Sequence, residues 1–335
     1  MPNLTSLELQ QVAEPSANLF PSSGTPVPPV FQNVSKLKTL RLTRTPLYPT
    51  LFSIASLREL RLLGYENPLN FGTFIRFLRL NRDLEHVVLD VRFVANSVET
   101  EFNRNVSPPR LQNLSITCYK TIDSKGLLSC ISFPHGAHIE VTSIGLDRAT
   151  LLSSFMPSPP TPIHDLLAPI TTIKTQLTPA KLQLIGNGSS FTLHGVIALW
   201  EFPTAAVREL YVDPFPLMYS AAILHSTMKV LPALEILAFS RTPFPAGLLS
   251  GLIEEPVLCP ALKTIAFLDC DIDSDIIKQL EEAMAKRGDS TAARMYRVVI
   301  VNSAGTILDR TSIQQLRKSV PCVDIRVDDK FPDLS

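Results

Sequence analysis

The sequence predicts an α/β fold in which short parallel strands are stacked side by side, each returned to the next by a helix or an extended turn. Two observations carry this. The first is a recurring apolar-x-x-apolar-x-apolar triplet. It falls at Leu4-Leu7-Leu9, Leu37-Leu40-Leu42, Leu57-Leu60-Leu62, Leu84-Val87-Leu89 and Leu111-Leu114-Ile116. It resumes at Val207-Leu210-Val212, Leu234-Leu237-Phe239 and Leu262-Ile265-Phe267, and weaker copies begin at Met295 and Val320. The second is the spacing: Leu57 to Leu84, Leu84 to Leu111, Val207 to Leu234 and Leu234 to Leu262 are steps of 27 or 28 residues. Even whole phrases recur, since Leu37–Leu47 and Leu234–Phe244 both close on Arg-Thr-Pro and an apolar residue. Side chains alternate across a strand, so the last two apolar residues of each triplet face the same side. The remaining twenty or so residues of a unit suffice for a helix that carries the chain back in parallel.

The pattern resembles the leucine-rich repeat, L-x-x-L-x-L-x-x-N/C-x-L. The unit Leu262–Ile272 fits it best, with Cys270 at the Asn/Cys position. Elsewhere that position holds Val12, Thr45, Tyr65, Arg92, Tyr119 or Thr242, so the array is degenerate. The resemblance implies a solenoid, or horseshoe, with a curved parallel sheet on its concave side and irregular helices and loops on its convex side. After Leu262–Ile272 the spacing predicts a helix capped by Asp273 or Ser274. It would bury Ile276, Ile277, Leu280 and Met284 and stop at Gly288.

One irregular repeat domain is expected over 1–335. Residues 18–33 form a Pro-rich loop within it. Over 118–206 the triplet weakens, and atypical repeats compete with an insertion. A strand is expected at Ala137–Ile144, a loop at Phe155–Pro162, a short helix near Ile163–Leu167, and a possible hairpin over 181–194 around Gly186-Asn187-Gly188.

Composition narrows the function. Lys plus Arg and Asp plus Glu are 31 each, so no basic surplus favours nucleic acid. With 45% hydrophobic and 19% charged residues, the chain is not of the disordered class. No secretory leader and no apolar run of spanning length occur, which leaves out a membrane. Five cysteines without a C-x-x-C pair fit a reduced compartment, cytoplasmic or nuclear. No phosphate-loop, nucleophile-elbow or H-E-x-x-H motif is present, and no catalytic residue or cofactor is expected. The alternate aspartates Asp269, Asp271, Asp273 and Asp275 lack the Gly and Glu of a calcium loop. Cys130, His135 and His138 lack a fourth zinc ligand. Trp200 reads as a core anchor.

The degenerate triplets with Pro-rich returns, in phrases such as LRELRLLGYENP and VRELYVDPFP, resemble the repeat regions of fungal F-box proteins of the basidiomycete type. That resemblance implies a non-enzymatic substrate receptor of a ubiquitin ligase, or a paralogue without its F-box. The first triplet starts at Leu4, which leaves no room before it for an F-box. A Skp-type adaptor is therefore expected only for a longer product. The alternative is a regulatory protein such as a leucine-rich-repeat GTPase activator. In a leucine-rich repeat, the residue between the last two apolar positions points to the concave face. These residues are Glu8, Arg41, Arg61, Val88, Ser115, Tyr211, Ala238, Ala266, Val299 and Asp324. Arg41, Arg61 and Tyr211 are the candidate protein-binding residues, and Glu59 or Glu8 is the expected neutralising partner of the arginines if that face is merely solvated.

Overall fold

The computed structural model describes residues 4–10, 36–44, 54–94, 106–119, 121–144, 157, 161–177, 180–186, 188–194, 205–213, 221–241, 247–255, 257–270, 272–288, 295–301 and 310–326. The Pro-rich loop 18–33, most of 155–162, and Trp200 lie outside these residues. In chain order the elements are β1 (Ser6–Gln10), β2 (Thr39–Thr43), β3 (Glu59–Asn70), α1 (Phe71–Leu80), β4 (His86–Val94), β5 (Asn113–Cys118) and α2 (Thr121–Cys130). There follow β6 (His138–Ser143), α3 (Pro162–Leu167), β7 (Thr172–Leu177), β8 (Ala180–Gly186), β9 (Ser189–His194), β10 (Glu209–Asp213) and α4 (Ala221–Lys229). The last are β11 (Ile236–Ser240), α5 (Gly247–Glu254), β12 (Thr264–Leu268), α6 (Ser274–Gly288), β13 (Arg297–Val301), α7 (Arg310–Ser319) and β14 (Cys322–Arg326). The fold is α/β, its strands form open and mostly parallel sheet, and the chain divides into two compact units.

The first unit holds Met1–Ala168 with Asn187–Val196. Its strands run β1-β2-β3-β4-β5-β6-β9, every neighbouring pair parallel. The predicted triplets sit in register: Leu7, Leu40, Leu60, Val87 and Leu114 form one row across the sheet. Leu40 is 1% exposed and Leu60 2%. The second unit holds Pro169–Gly186 with Ile197–Ser335. There β7, β10, β11, β12, β13 and β14 pair in parallel, and β8 pairs antiparallel with β7. Leu210, Leu237, Ile265, Val298 and Val323 form the matching row. The two arms of the expected hairpin are both strands: β8 belongs to the second unit and β9 to the first.

A shared hydrogen-bond device sets the register. At most strand entries two successive residues both donate to one carbonyl of the preceding entry. Lys38 and Thr39 bind the Thr5 carbonyl (2.8 and 3.1 Å), and Arg58 and Glu59 bind that of Lys38 (2.8 and 3.0 Å). In the second unit Glu235 and Ile236 bind the Arg208 carbonyl, and Lys263 and Thr264 that of Glu235. Strand exits repeat as well. Arg44, Arg241 and Asp269 have φ of 51°, 50° and 52°, in the left-handed region. Each donates its N–H across to the next strand, to Leu63, Leu268 and Val301 respectively.

Helices close the gaps between strands. Phe71, Phe74, Ile75, Phe77 and Leu78 give α1 one buried face. Next to it, buried Asn81 accepts the Leu57 N–H at 3.1 Å and donates to the Phe77 carbonyl. Asp273 is the cap of α6, its Oδ1 accepting the N–H groups of Asp275 and Ile276. Cys270 is buried, its thiol against the Phe239 carbonyl at 3.5 Å. No described helix is long and apolar enough to cross a membrane.

Candidate protein-binding face

In each unit the leucine row covers one face of the sheet, and the alternate residues make the opposite, outer face. In the first unit the register aligns Glu8 with Arg41, Arg41 with Arg61, Arg61 with Val88 and Val88 with Ser115, as the spacing predicts. Two strands missing from the triplet array continue the row: Ser115 aligns with Glu140 of β6, and Glu140 with Thr192 of β9.

Arg41 and Arg61 do sit on adjacent strands, and Glu59 binds them both. Its Oε1 lies 3.0 Å from Arg41 Nη2 and 2.7 Å from Arg61 Nε. Glu8 stands 3.7 Å from Arg41 on the other side. Two guanidinium groups and two carboxylates thus form a balanced cluster. Burial pushes the Glu59 carboxyl up, but the hydrogen bonds from Arg61 and Arg41 outweigh it, and the net shift is below its ordinary value. Arg41 and Arg61 keep about two-fifths of their side-chain surface exposed, so both can still reach a partner carboxylate.

Farther along the same face imidazole and amide groups join the charged ones. His86, Asn113, His138 and Ser190 fall in one register row over β4, β5, β6 and β9. The Asn113 amide nitrogen donates to His86 Nδ1 at 2.9 Å, and His138 Nδ1 meets Ser190 Oγ at 2.9 Å. Two outward rows over, in register with Thr142, His194 places its Nε2 2.6 Å from Glu140 Oε1. Asp90 is spent locally, accepting from the Tyr119 hydroxyl and the Gly64 N–H, and Arg92 stacks over the Tyr119 ring at 4.8 Å.

The outer face of the second unit is different. Tyr211 is half-buried, with Lys174 Nζ 5.0 Å from its ring. It packs against Ile236, Ala238, Ala266, Leu268, Val299 and Val301, all of them buried. Strands β11 to β13 are thus buried on both faces, and they read as continuous apolar runs for that reason. At the edge of this strip Asp213 takes a two-pronged hydrogen bond from Arg241 (3.2 and 2.6 Å), which raises the guanidinium's pKa above its ordinary value.

Comparison with known proteins finds no family model and no curated sequence that matches this chain.

The remaining sequence candidates do not converge. Asp273 is occupied as a helix cap, and Asp271 lies outside the described residues. Cys130 is buried, while His135 and His138 are exposed. No group of three His, Cys, Asp or Glu able to hold a metal occurs among the described residues. Burial pushes the Cys259 thiol up to about 12, against the pull of Arg287, and a thiol held protonated is a poor nucleophile. The polar groups of β6 and β9 give no triplet signal because their first apolar position is a glycine, Gly136 and Gly188, each with positive φ.

Proposed function

We propose that the chain is a non-enzymatic interaction module, a leucine-rich-repeat solenoid whose concave side is the outer sheet face and whose partner is a protein. We read it as the substrate-recognition part of an F-box-type ubiquitin-ligase receptor, or a paralogue of one, acting in the cytoplasm or nucleus. Binding to a Skp-type adaptor would then need an F-box in a longer product. The in-register rows of outer side chains and the shared strand-entry hydrogen bonds support the repeat reading.

The observation that carries the assignment is the open outer face of the first unit, where Arg41, Arg61, His86, Asn113 and Glu140 stand on neighbouring parallel strands. Tyr211 remains a proposed contact of the second unit.

The test is quantitative copurification with the wild-type chain and with Arg41→Gln combined with Arg61→Gln. Glutamine is chosen over glutamate because charge reversal would crowd four carboxylates together, Glu59 and Glu8 among them. Specific partners should be lost from the double variant while its melting temperature stays within a few degrees. Full retention of every partner by a folded double variant would remove the arginines from the binding face.

A further inference from the structure

We propose that the outer face of β4, β5, β6 and β9 is a protonation-gated site for an acidic protein segment, with His86, His138 and His194 as its gate. The inference rests on the interaction-module reading and deepens it by naming the partner's charge and the control of binding.

The geometry places three imidazoles on one face within four successive parallel strands. His86 and His138 share a register row, separated by Asn113, so about two strand spacings lie between them. His194 is on the next strand and two outward rows over, in register with Thr142. His138 is exposed, and His86 and His194 are partly so. The contacts described above engage one ring nitrogen of each: Nδ1 of His86, Nδ1 of His138 and Nε2 of His194.

Imidazole is the side chain whose charge ordinarily changes between pH 5 and 8. The surrounding described charges decide what that change does. On these strands they are Asp90 and Arg92 of β4 and Glu140 of β6, while β5 and β9 contribute Asn, Ser and Thr. Toward β3 come Arg61 and Glu59, then Arg41 and Glu8, which balance one another. Glu85 precedes β4 and is engaged with Arg58 at 3.8 Å. With neutral imidazoles the patch carries two carboxylates and one guanidinium. With all three protonated it carries four positive groups against the same two carboxylates, and its sign reverses.

The neighbours can accept the change. Ser190 Oγ can take a hydrogen bond as readily as give one. Glu140 accepts from His194 in either charge state. Asn113 must turn its amide to offer Oδ1 to a protonated His86, and it is exposed enough to do so. An acidic segment crossing the strands would then meet His86 and His138 in one row and His194 by turning along β9, while basic segments would be repelled.

The test uses an octa-aspartate peptide carrying a pH-insensitive fluorophore, titrated with the whole chain at pH 5.5 and 7.5. Wild type should bind about tenfold tighter at pH 5.5, and the preference should weaken with added salt. The variant His86→Gln, His138→Gln, His194→Gln should lose the preference while keeping its melting temperature at pH 7.5. A control with His164→Gln and His225→Gln, histidines on α3 and α4, should retain it, which separates the patch from the overall rise in charge. Three results overturn the inference: equal affinity at both pH values, loss of the preference in the control, or tighter binding of a single-stranded oligonucleotide of equal charge. None of these touches the arginine test, so each reading can fail without the other.

Discussion

Arg287 is wholly buried near the end of α6, and its guanidinium donates to the carbonyls of Leu258, Cys259 and Leu262 at 2.7, 3.0 and 3.4 Å. Those carbonyls belong to the turn that leads into β12, where Cys259 has a φ of 47°. Burial lowers the Arg287 pKa, so keeping the group charged there has a cost. The two effects oppose each other in Arg287→Met. The variant sheds the buried charge but takes the guanidinium donors from three carbonyls; that of Cys259 keeps the Leu262 N–H, and a stranded carbonyl costs about 1–3 kcal/mol. The carbonyls should win, with a net loss of about 1–3 kcal/mol in urea unfolding. A more stable variant would show that desolvation of the guanidinium outweighs the hydrogen bonds it makes.

Glu59 gives a second residue-scale prediction, one of sign. Its carboxyl is held below the ordinary 4.5 by Arg61 and Arg41, despite burial acting the other way. A depressed carboxylate contributes stability that is fully present above the unfolded value and is lost as pH falls through the folded one. The wild type should therefore lose stability below about pH 4.5 more steeply than Glu59→Gln, with the two curves converging in acid. Parallel unfolding curves between pH 5 and 3 would mean that the cluster has no net effect on stability.

At the scale of elements, Leu60→Ala should cost about 2–5 kcal/mol, because Leu60 lies between Leu40 and Val87 in the buried row. A loss below about 0.5 kcal/mol in chemical denaturation would contradict that packing. Asp273→Ala should cost about 1 kcal/mol, since it removes the acceptor of two N–H groups at the start of α6. These elements are legible in the sequence because a period-two apolar pair and a capped amphipathic run are local signals. Strands β6, β7 and β9 are harder, for reasons visible in their residues. The position three before Ile139 and before Phe191 holds Gly136 and Gly188, with φ of 88° and 79°, a left-handed backbone that glycine adopts freely and leucine does not. In β7 the third apolar position is Thr175, buried and bonded to the Tyr211 carbonyl at 3.4 Å. A search for apolar triplets passes over all three strands. It thereby passes over His138, Glu140 and His194, the polar centre of the first unit's outer face. The arginine pair and its neutralising acid Glu59 are legible, because both follow from register alone.

At the scale of the whole molecule, each unit pairs a leucine face with an outer face, but the outer faces differ in exposure. In the first unit the row Glu8, Arg41, Arg61, Val88, Ser115 and Glu140 is exposed or partly exposed. In the second, Ala238, Ala266 and Val299 are at most 4% exposed, and the polar Thr264 and Ser240 are buried beside them. Sequence spacing gives which face a residue points to, and it carries no information on whether that face is covered. Burial on both sides keeps water from the backbone, so local opening there approaches the cost of unfolding the unit. Amide hydrogen exchange should therefore be slowest in β11, β12 and β13 among the strands of the second unit. In the first unit it should be fastest in β1, which has one neighbour among the described strands and exposed residues at Ser6, Glu8 and Gln10. A substitution on the covered strip, Ala266→Asp, should lower that protection and the unfolding midpoint together, because it buries a carboxylate among apolar neighbours. The matched change on the open face, Ser115→Asp, should leave both within error. If Ala266→Asp proved as harmless as Ser115→Asp, the second outer face would be open to solvent like the first, and the division between a binding face and a structural face would not hold.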